Sequence, residues 1–162
     1  MPKQRNTKND AFIAKHLALA EQLCQQQGQR LTETRRDVLT LLLKHGSSMK
    51  AYDLLDALRK THPQIAPTTV YRPLQFLVDL GLVHRIDSLN AYIACTHDDP
   101  DAHDFLLVCP RCASVSEIED EKVNKVLAKH LEQQGFVAQH HSVEISAVCR
   151  DCAASSAHAH RH

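Results

Sequence analysis

Two Cys-x-x-Cys pairs, Cys109-Pro-Arg-Cys112 and Cys149-Arg-Asp-Cys152, stand 36 residues apart in a chain of 162. Two residues between cysteines turn both sulfurs into one cavity, and two such knuckles complete a tetrahedral thiolate shell for zinc. Four thiolates leave no position for water, so this reading is structural: the metal pins the segments ending at Cys109 and Cys149 together. The rival reading is a redox dithiol at Cys109 and Cys112. Such a motif belongs at the start of a helix in a βαβ unit. Here Ala-Ser-Val-Ser-Glu-Ile follows Cys112 and alternates like a strand. The second pair also goes unexplained on that reading.

Charge divides the chain in the same place. The net formal charge is zero, yet residues 1–85 hold 13 Lys/Arg against 7 Asp/Glu, and residues 86–162 hold 6 against 12. Eight of the 12 histidines and five of the six cysteines lie in the acidic part. A basic half attracts polyanions and an acidic, His/Cys-rich half attracts cations. No apolar run approaches the roughly 18 residues of a membrane span, and the polar start carries no secretory signal, so a cytoplasmic protein without a membrane partner is expected.

The basic half reads as helices. Ala11–Gln27 stops at Gly28, Thr32 caps a second helix that ends before Gly46, and Ser48 is expected to cap a third that closes by Pro63. A fourth begins near Pro67 and runs to Gly81. Leu82–Ile86 and Ala91–Cys95 then read as a hairpin turning at Leu89-Asn90, which makes a winged helix-turn-helix. The expected organisation is α+β: a winged-helix DNA-binding domain over 1–95, a hinge over 96–104, a C-terminal α/β metal-binding domain over 105–152, and a disordered His-rich tail over 153–162. In the third of these, strands are expected at Phe105–Cys109, Ala113–Ile118 and Val143–Val148, with a helix from Asp120 to Gln134.

A turn at Leu89-Asn90 sets His84 opposite Cys95, close enough for both to bind one ion. His103 and His97 in the hinge and Glu117 after the first knuckle are the nearest further donors. A thiolate beside imidazoles favours zinc over magnesium, calcium or manganese.

Arg30-Leu-Thr-x-x-Arg35, Ala51-Tyr52-Asp53-Leu54-Leu55, Pro67-Thr-Thr-Val-Tyr-Arg72, Gly81-Leu-Val-His84, Asn90 to Cys95 and the two knuckles together resemble the ferric uptake regulator family, and within it the zinc uptake regulator branch, over roughly residues 17–152. The resemblance implies a dimeric, zinc-dependent repressor of zinc-acquisition genes, dimerising through residues 105–152, with two zinc ions per chain and an A·T-rich, palindromic operator. It assigns structural zinc to Cys109, Cys112, Cys149 and Cys152, and regulatory zinc to His84, Cys95, His103 and Glu117. It places Arg72 against bases from the recognition helix, where its fork suits guanine, and Tyr52 on DNA from the preceding helix. Arg30, Arg35, Thr69 and Tyr71 are the candidates for phosphate or groove-edge contacts. Asp56 and Arg59 match positions that link two dimers on one operator, although residues three apart on a helix also pair with each other.

Two departures from the family pattern stand out. Pro73 follows Arg72 and leads us to expect a late helix start or a slight kink. Phe105 stands where some relatives have a ligand of a third metal site, which is therefore expected to be absent. The alternatives are an iron- or peroxide-responsive relative, a Cys-x-x-Cys thiol-disulfide oxidoreductase, and a zinc store using the His-rich end. No Ser/His/Asp arrangement, phosphate-binding glycine loop or carboxylate pair supports an enzyme, and no catalytic residue is expected.

Overall fold

The computed structural model describes residues 10–98, 104–137 and 142–159. The chain divides into two compact units, one ending at Pro100 and the other starting at Asp101.

The N-terminal unit contains α1 (Asp10–Gln26), α2 (Glu33–His45), α3 (Ala51–Arg59), α4 (Thr68–Asp79), and a hairpin of β1 (Val83–Ile86) and β2 (Ala91–Ala94). Thr32 caps α2 by accepting the Arg35 N–H at 3.4 Å, and Gly46 ends it in the left-handed region at φ 69°. The third helix starts later than expected. Lys50 holds its N-cap position without a side-chain bond, because Met49 is engaged first: its N–H and carbonyl both pair with Tyr92, tying the α2–α3 connection to the wing. Leu39, Leu42, Leu43, Leu54, Leu58, Leu74 and Leu77 interlock in one core.

Pro73 lies inside α4, which nonetheless begins at Thr68, so the expected late start does not occur. The Thr69 and Val70 N–H groups bond three residues back, to Ala66 and Pro67. Pro73 removes one N–H further on, and its buried ring beside Val70, Leu74 and Leu77 offsets that loss with apolar burial.

The hairpin register differs from the expected one by two residues. Val83 pairs with Ala94 and His84 with Ile93, not with Cys95. The connection is a 3₁₀ turn over Asp87–Leu89 closed by Asn90 at φ 47°, a longer loop than a two-residue turn.

The C-terminal unit is a three-stranded sheet of β3 (Asp104–Val108), β4 (Val115–Glu119) and β5 (Ser142–Ser146), with α5 (Glu121–Gln133) and α6 (Arg150–Ala159). Strand β3 is central, antiparallel to β4 and parallel to β5. Asp120 caps α5 by accepting the Lys122 and Val123 N–H groups. The register puts Phe105, Ile118 and Val143 side by side on one face, with Ile145 following Val143. Ile118, Val143, Ile145 and Val126 are exposed, whereas Phe105 is buried. The expectation of a disordered tail from residue 153 is corrected as far as Ala159, because α6 continues through it. Alanine is the strongest helix former, and Asp151 in the first turn complements the helix dipole. Among the described residues, no helix is long and apolar enough to cross a membrane.

Candidate metal centres and nucleic-acid interface

Cys109 directly follows β3, Cys112 follows a tight turn, and Cys149 and Cys152 flank the start of α6. The first knuckle closes through two backbone bonds of 2.9 Å, Ala113 N–H to the Cys109 carbonyl and Cys109 N–H to the Ser114 carbonyl, with Ala113 at φ 57°. Arg111 reaches across to the Cys152 carbonyl at 3.0 Å, joining the two knuckles. All four sulfurs lie within 4.8 Å of one another, and none is in a disulfide. Cys112 Sγ and Cys149 Sγ are 3.7 Å apart. A tetrahedron with Zn–S bonds of about 2.3 Å has edges of about 3.8 Å.

The electrostatics fit a cation. The Cys149, Cys112 and Arg111 N–H groups hold the Cys109 thiol down to about 6. Hydrogen bonding by Ser114 lowers that of Cys112. The neighbouring sulfurs of Cys149 and Cys112 push Cys152 up to about 12. One thiolate is welcome here and a full set is not, unless a dication joins them. The donor set therefore fits structural zinc. The chain leaves Cys112 for strand β4 rather than for a helix, unlike a dithiol active site.

At the base of the wing, His84 and Cys95 are both buried, and a ring nitrogen lies within 4.8 Å of the sulfur. They are not directly opposed. Cys95 lies diagonally across from His84, next to Leu82, whose carbonyl takes the Cys95 N–H at 2.9 Å. A diagonal pair on one face is within reach of a long side chain such as imidazole. Glu117 is half-buried on β4, and His97 is half-buried beyond Cys95. His103, His140 and His141 lie outside the described residues. Phe105 is buried in β3 and offers no donor atom.

The outward face of α4 carries Thr69, Tyr71 and Arg72, all exposed, while Val70, Pro73, Leu74 and Leu77 face the core. Tyr71 is 57% exposed and Tyr52, on the first turn of α3, 67%. Neither is a core aromatic. Arg30 is exposed on the α1–α2 connection. The Arg35 side chain is engaged within the unit: its Nη1 donates to the Arg30 carbonyl at 2.6 Å, and its guanidinium lies 3.3 Å from the Phe76 ring centroid. Arg36 pairs with Glu21. Asp56 and Arg59 pair with each other at 3.4 Å on the exposed side of α3.

One cluster was not singled out from the sequence. Glu33, Asp37 and His62 converge where the N-terminus of α2 meets the turn after α3, with His62 Nε2 and Asp37 Oδ2 2.6 Å apart. The spacing of Glu33 and Asp37 by one helical turn was visible; the approach of His62 is tertiary. Its hydrogen bond to Asp37 accounts for the convergence.

The profile of the ferric uptake regulator family matches residues 26–146. A zinc uptake regulation protein of Escherichia coli K12 is 39% identical over 137 residues, covering 84% of this chain and 80% of that protein. A solved zinc uptake regulator complexed with zinc and DNA superposes with a TM-score of 0.78 at 37% identity, over 90% of this chain and 97% of the other. The holo form of XcZur gives a TM-score of 0.74 at 39% identity, over 88% and 99% of the two chains. The chain belongs to the ferric uptake regulator family, on its zinc uptake regulator branch.

Proposed function

We propose that this chain is a zinc-responsive repressor that binds an A·T-rich palindromic operator as a dimer and controls zinc-acquisition genes. The observation that carries the reading is the buried His84–Cys95 pair beneath the wing, a nitrogen and a sulfur donor within 4.8 Å. A soft thiolate beside imidazole selects zinc and counts against the iron-responsive alternative. The relative solved with zinc and DNA supports the same direction.

In this reading His84, Cys95, His103 and Glu117 hold a regulatory zinc, and Cys109, Cys112, Cys149 and Cys152 a structural one, two ions per chain. Regulatory zinc, when bound, supplies a cross-link between residues of the wing, the hinge and β4. His84 and Cys95 anchor the wing, and Glu117 gives the dimerisation domain its share of the shell. Holding these groups together narrows the separations the two DNA-reading heads sample to one that matches two half-sites. Arg72 reads a base edge from α4, with Tyr52, Tyr71 and Thr69 beside it on the duplex and Arg30 on the phosphates.

Dimerisation falls to the C-terminal unit. Ile118, Val126, Val143 and Ile145 are apolar and exposed in the single chain, and a second copy covers them. Asp56 and Arg59 provide the contact to a second dimer on the same operator, exchanging their mutual pair for pairs across dimers. The protein works in the cytoplasm, where its six thiols stay reduced.

The test is selection from a randomised duplex pool by the full-length protein at buffered free zinc, after chelation, and with iron(II) in place of zinc. The expected result is an A·T-rich palindrome recovered with zinc alone. Recovery of that palindrome with iron(II) and not zinc contradicts the reading, as does recovery that is indifferent to metal.

A further inference from the structure

We infer that Arg35 is a positioning residue for the recognition helix, acting through Phe76, rather than a phosphate contact. The inference rests on the DNA-binding reading above and adds a residue pair that sets how α4 is presented.

Arg35 stands on the first turn of α2, next to its Thr32 cap. Its guanidinium is held from two sides. On one side Nη1 donates to the Arg30 carbonyl at 2.6 Å, which fixes the end of the α1–α2 connection. On the other the planar group lies over the Phe76 ring, 3.3 Å from its centroid. That is the contact a guanidinium makes better than an ammonium, because it is flat and weakly hydrated.

Phe76 belongs to α4 and is half-buried against the core. It follows Arg72 by four residues, so the two side chains are neighbours along one stripe of α4, with Thr69 one turn earlier. The core grips α4 along Val70, Pro73, Leu74 and Leu77. Those contacts fix the depth of the helix; a contact to the side of that line resists rotation about its axis. Rotation is what would swing Arg72 off a base edge. Pro73 sits between Arg72 and Phe76 and removes one of the internal hydrogen bonds that would stiffen the segment. A clamp just beyond the proline restores a fixed reference for the turn that carries Arg72. The same guanidinium also orders the Arg30 carbonyl, so the pair organises both the helix and the adjoining basic connection.

The experiment compares zinc-loaded wild type with Arg35→Lys, Phe76→Leu and the double variant, on the duplex that the wild type selects and on a scrambled duplex. Each is titrated over a range of salt concentrations, with folding checked by circular dichroism at the assay temperature. Arg35→Lys keeps the charge and loses the flat stack; Phe76→Leu keeps every charge and loses the ring. Each single change is expected to weaken binding to the selected duplex by roughly five- to thirtyfold, the range of a partly desolvated cation–π contact. Binding to the scrambled duplex should stay as it was, so the ratio of the two affinities falls. A mere loss of folded protein lowers both together and leaves the ratio unchanged. The salt slope should not move, and the double variant should be no worse than the weaker single, since both remove one contact.

The opposite pattern overturns the inference: Arg35→Lys and Phe76→Leu binding like wild type, while Arg35→Ala weakens both duplexes alike and reduces the salt slope by about 0.9, the signature of one lost phosphate contact. If the wild type selects no sequence at all, the DNA-binding reading itself fails and the positioning role falls with it.

Discussion

The N-terminal unit satisfies itself and the C-terminal unit does not. In the first, Leu39, Leu42 and Leu43 of α2, Leu54 and Leu58 of α3, and Leu74 and Leu77 of α4 meet in one core, and all seven are at most 1% exposed. In the second, among the described residues, β3 alone supplies buried apolar strand residues, Phe105, Leu106 and Val108, while Ile118, Val143, Ile145, Val123 and Val126 remain at the surface of the single chain. No residue of α5 is buried. A small unit with so little enclosed apolar area relies on something other than its own core. Four cysteines at one end of the sheet and an exposed apolar face offer the two remedies of the proposed function, a metal staple and a second copy. Under the proposed function the difference teaches a division of labour: the unit assigned to reading DNA folds by hydrophobic packing, and the unit assigned to spacing the readers would fold by coordination and association.

The comparison breaks most visibly at the staple. Cys149→Ser leaves three sulfurs and is predicted to unfold the C-terminal unit, since structural zinc contributes on the order of 10 kcal/mol in small domains. Zinc content should fall by one ion per chain and the dimer should dissociate in sedimentation, while amide protection of α2 and α4 persists. Leu58→Ala is the converse. It hollows the first core and should cost about 2–5 kcal/mol there. Thermal melting should then show an earlier transition for the winged helix, with zinc content and dimerisation intact.

A charge on the uncovered face sharpens the second remedy. Ile145 is 40% exposed in one chain, so Ile145→Asp is tolerable in a monomer and should still weaken the dimer by about 2 kcal/mol or more, because an unpaired carboxylate is trapped on association. Analytical ultracentrifugation reads this directly. If dimer strength is unaffected, the apolar face is not the interface.

The smallest expected effect is a change of slope with pH. In the folded chain Cys109, ordinarily 9.0, is held at about 6. Zinc binding at the knuckles would therefore release no proton from Cys109 well above pH 6 and would release one below it. Cys152, pushed up to about 12, gives up a proton throughout that range and adds no curvature. Apparent zinc affinity of the knuckles should fall as pH falls, more steeply below pH 6 than above. Competition with a chromogenic chelator measures it.

Much of this was legible in the sequence, for reasons that differ by element. The helices of the first unit carry apolar stripes and local stop signals, and Thr32, Gly28 and Gly46 act within their own turns. The knuckles were legible because covalent spacing alone decides whether two sulfurs can share an ion. The wing register was misjudged by two residues, since Asn90 suits both a two-residue turn and the end of a 3₁₀ turn. A slip of two keeps every side chain on its face, so the His84–Cys95 pairing survived as a diagonal. The extension of α6 was missed because the composition of its second half reads as low complexity, although alanine favours helix. The engagement of Arg35 by Phe76 was not legible at all, because the two residues lie 41 positions apart and meet only through packing.

The most direct test of the account is native mass spectrometry of the reduced, full-length protein through graded chelation, with binding to the selected duplex followed on the same samples. The account predicts a dimer with two zinc ions per chain. Mild chelation should remove one ion per chain and abolish duplex binding while the dimer and the second ion remain; Cys95→Ser should reproduce that state without chelator. A single ion per chain, or duplex binding that persists until the dimer itself falls apart, would contradict the separation of a sensing zinc from a folding zinc.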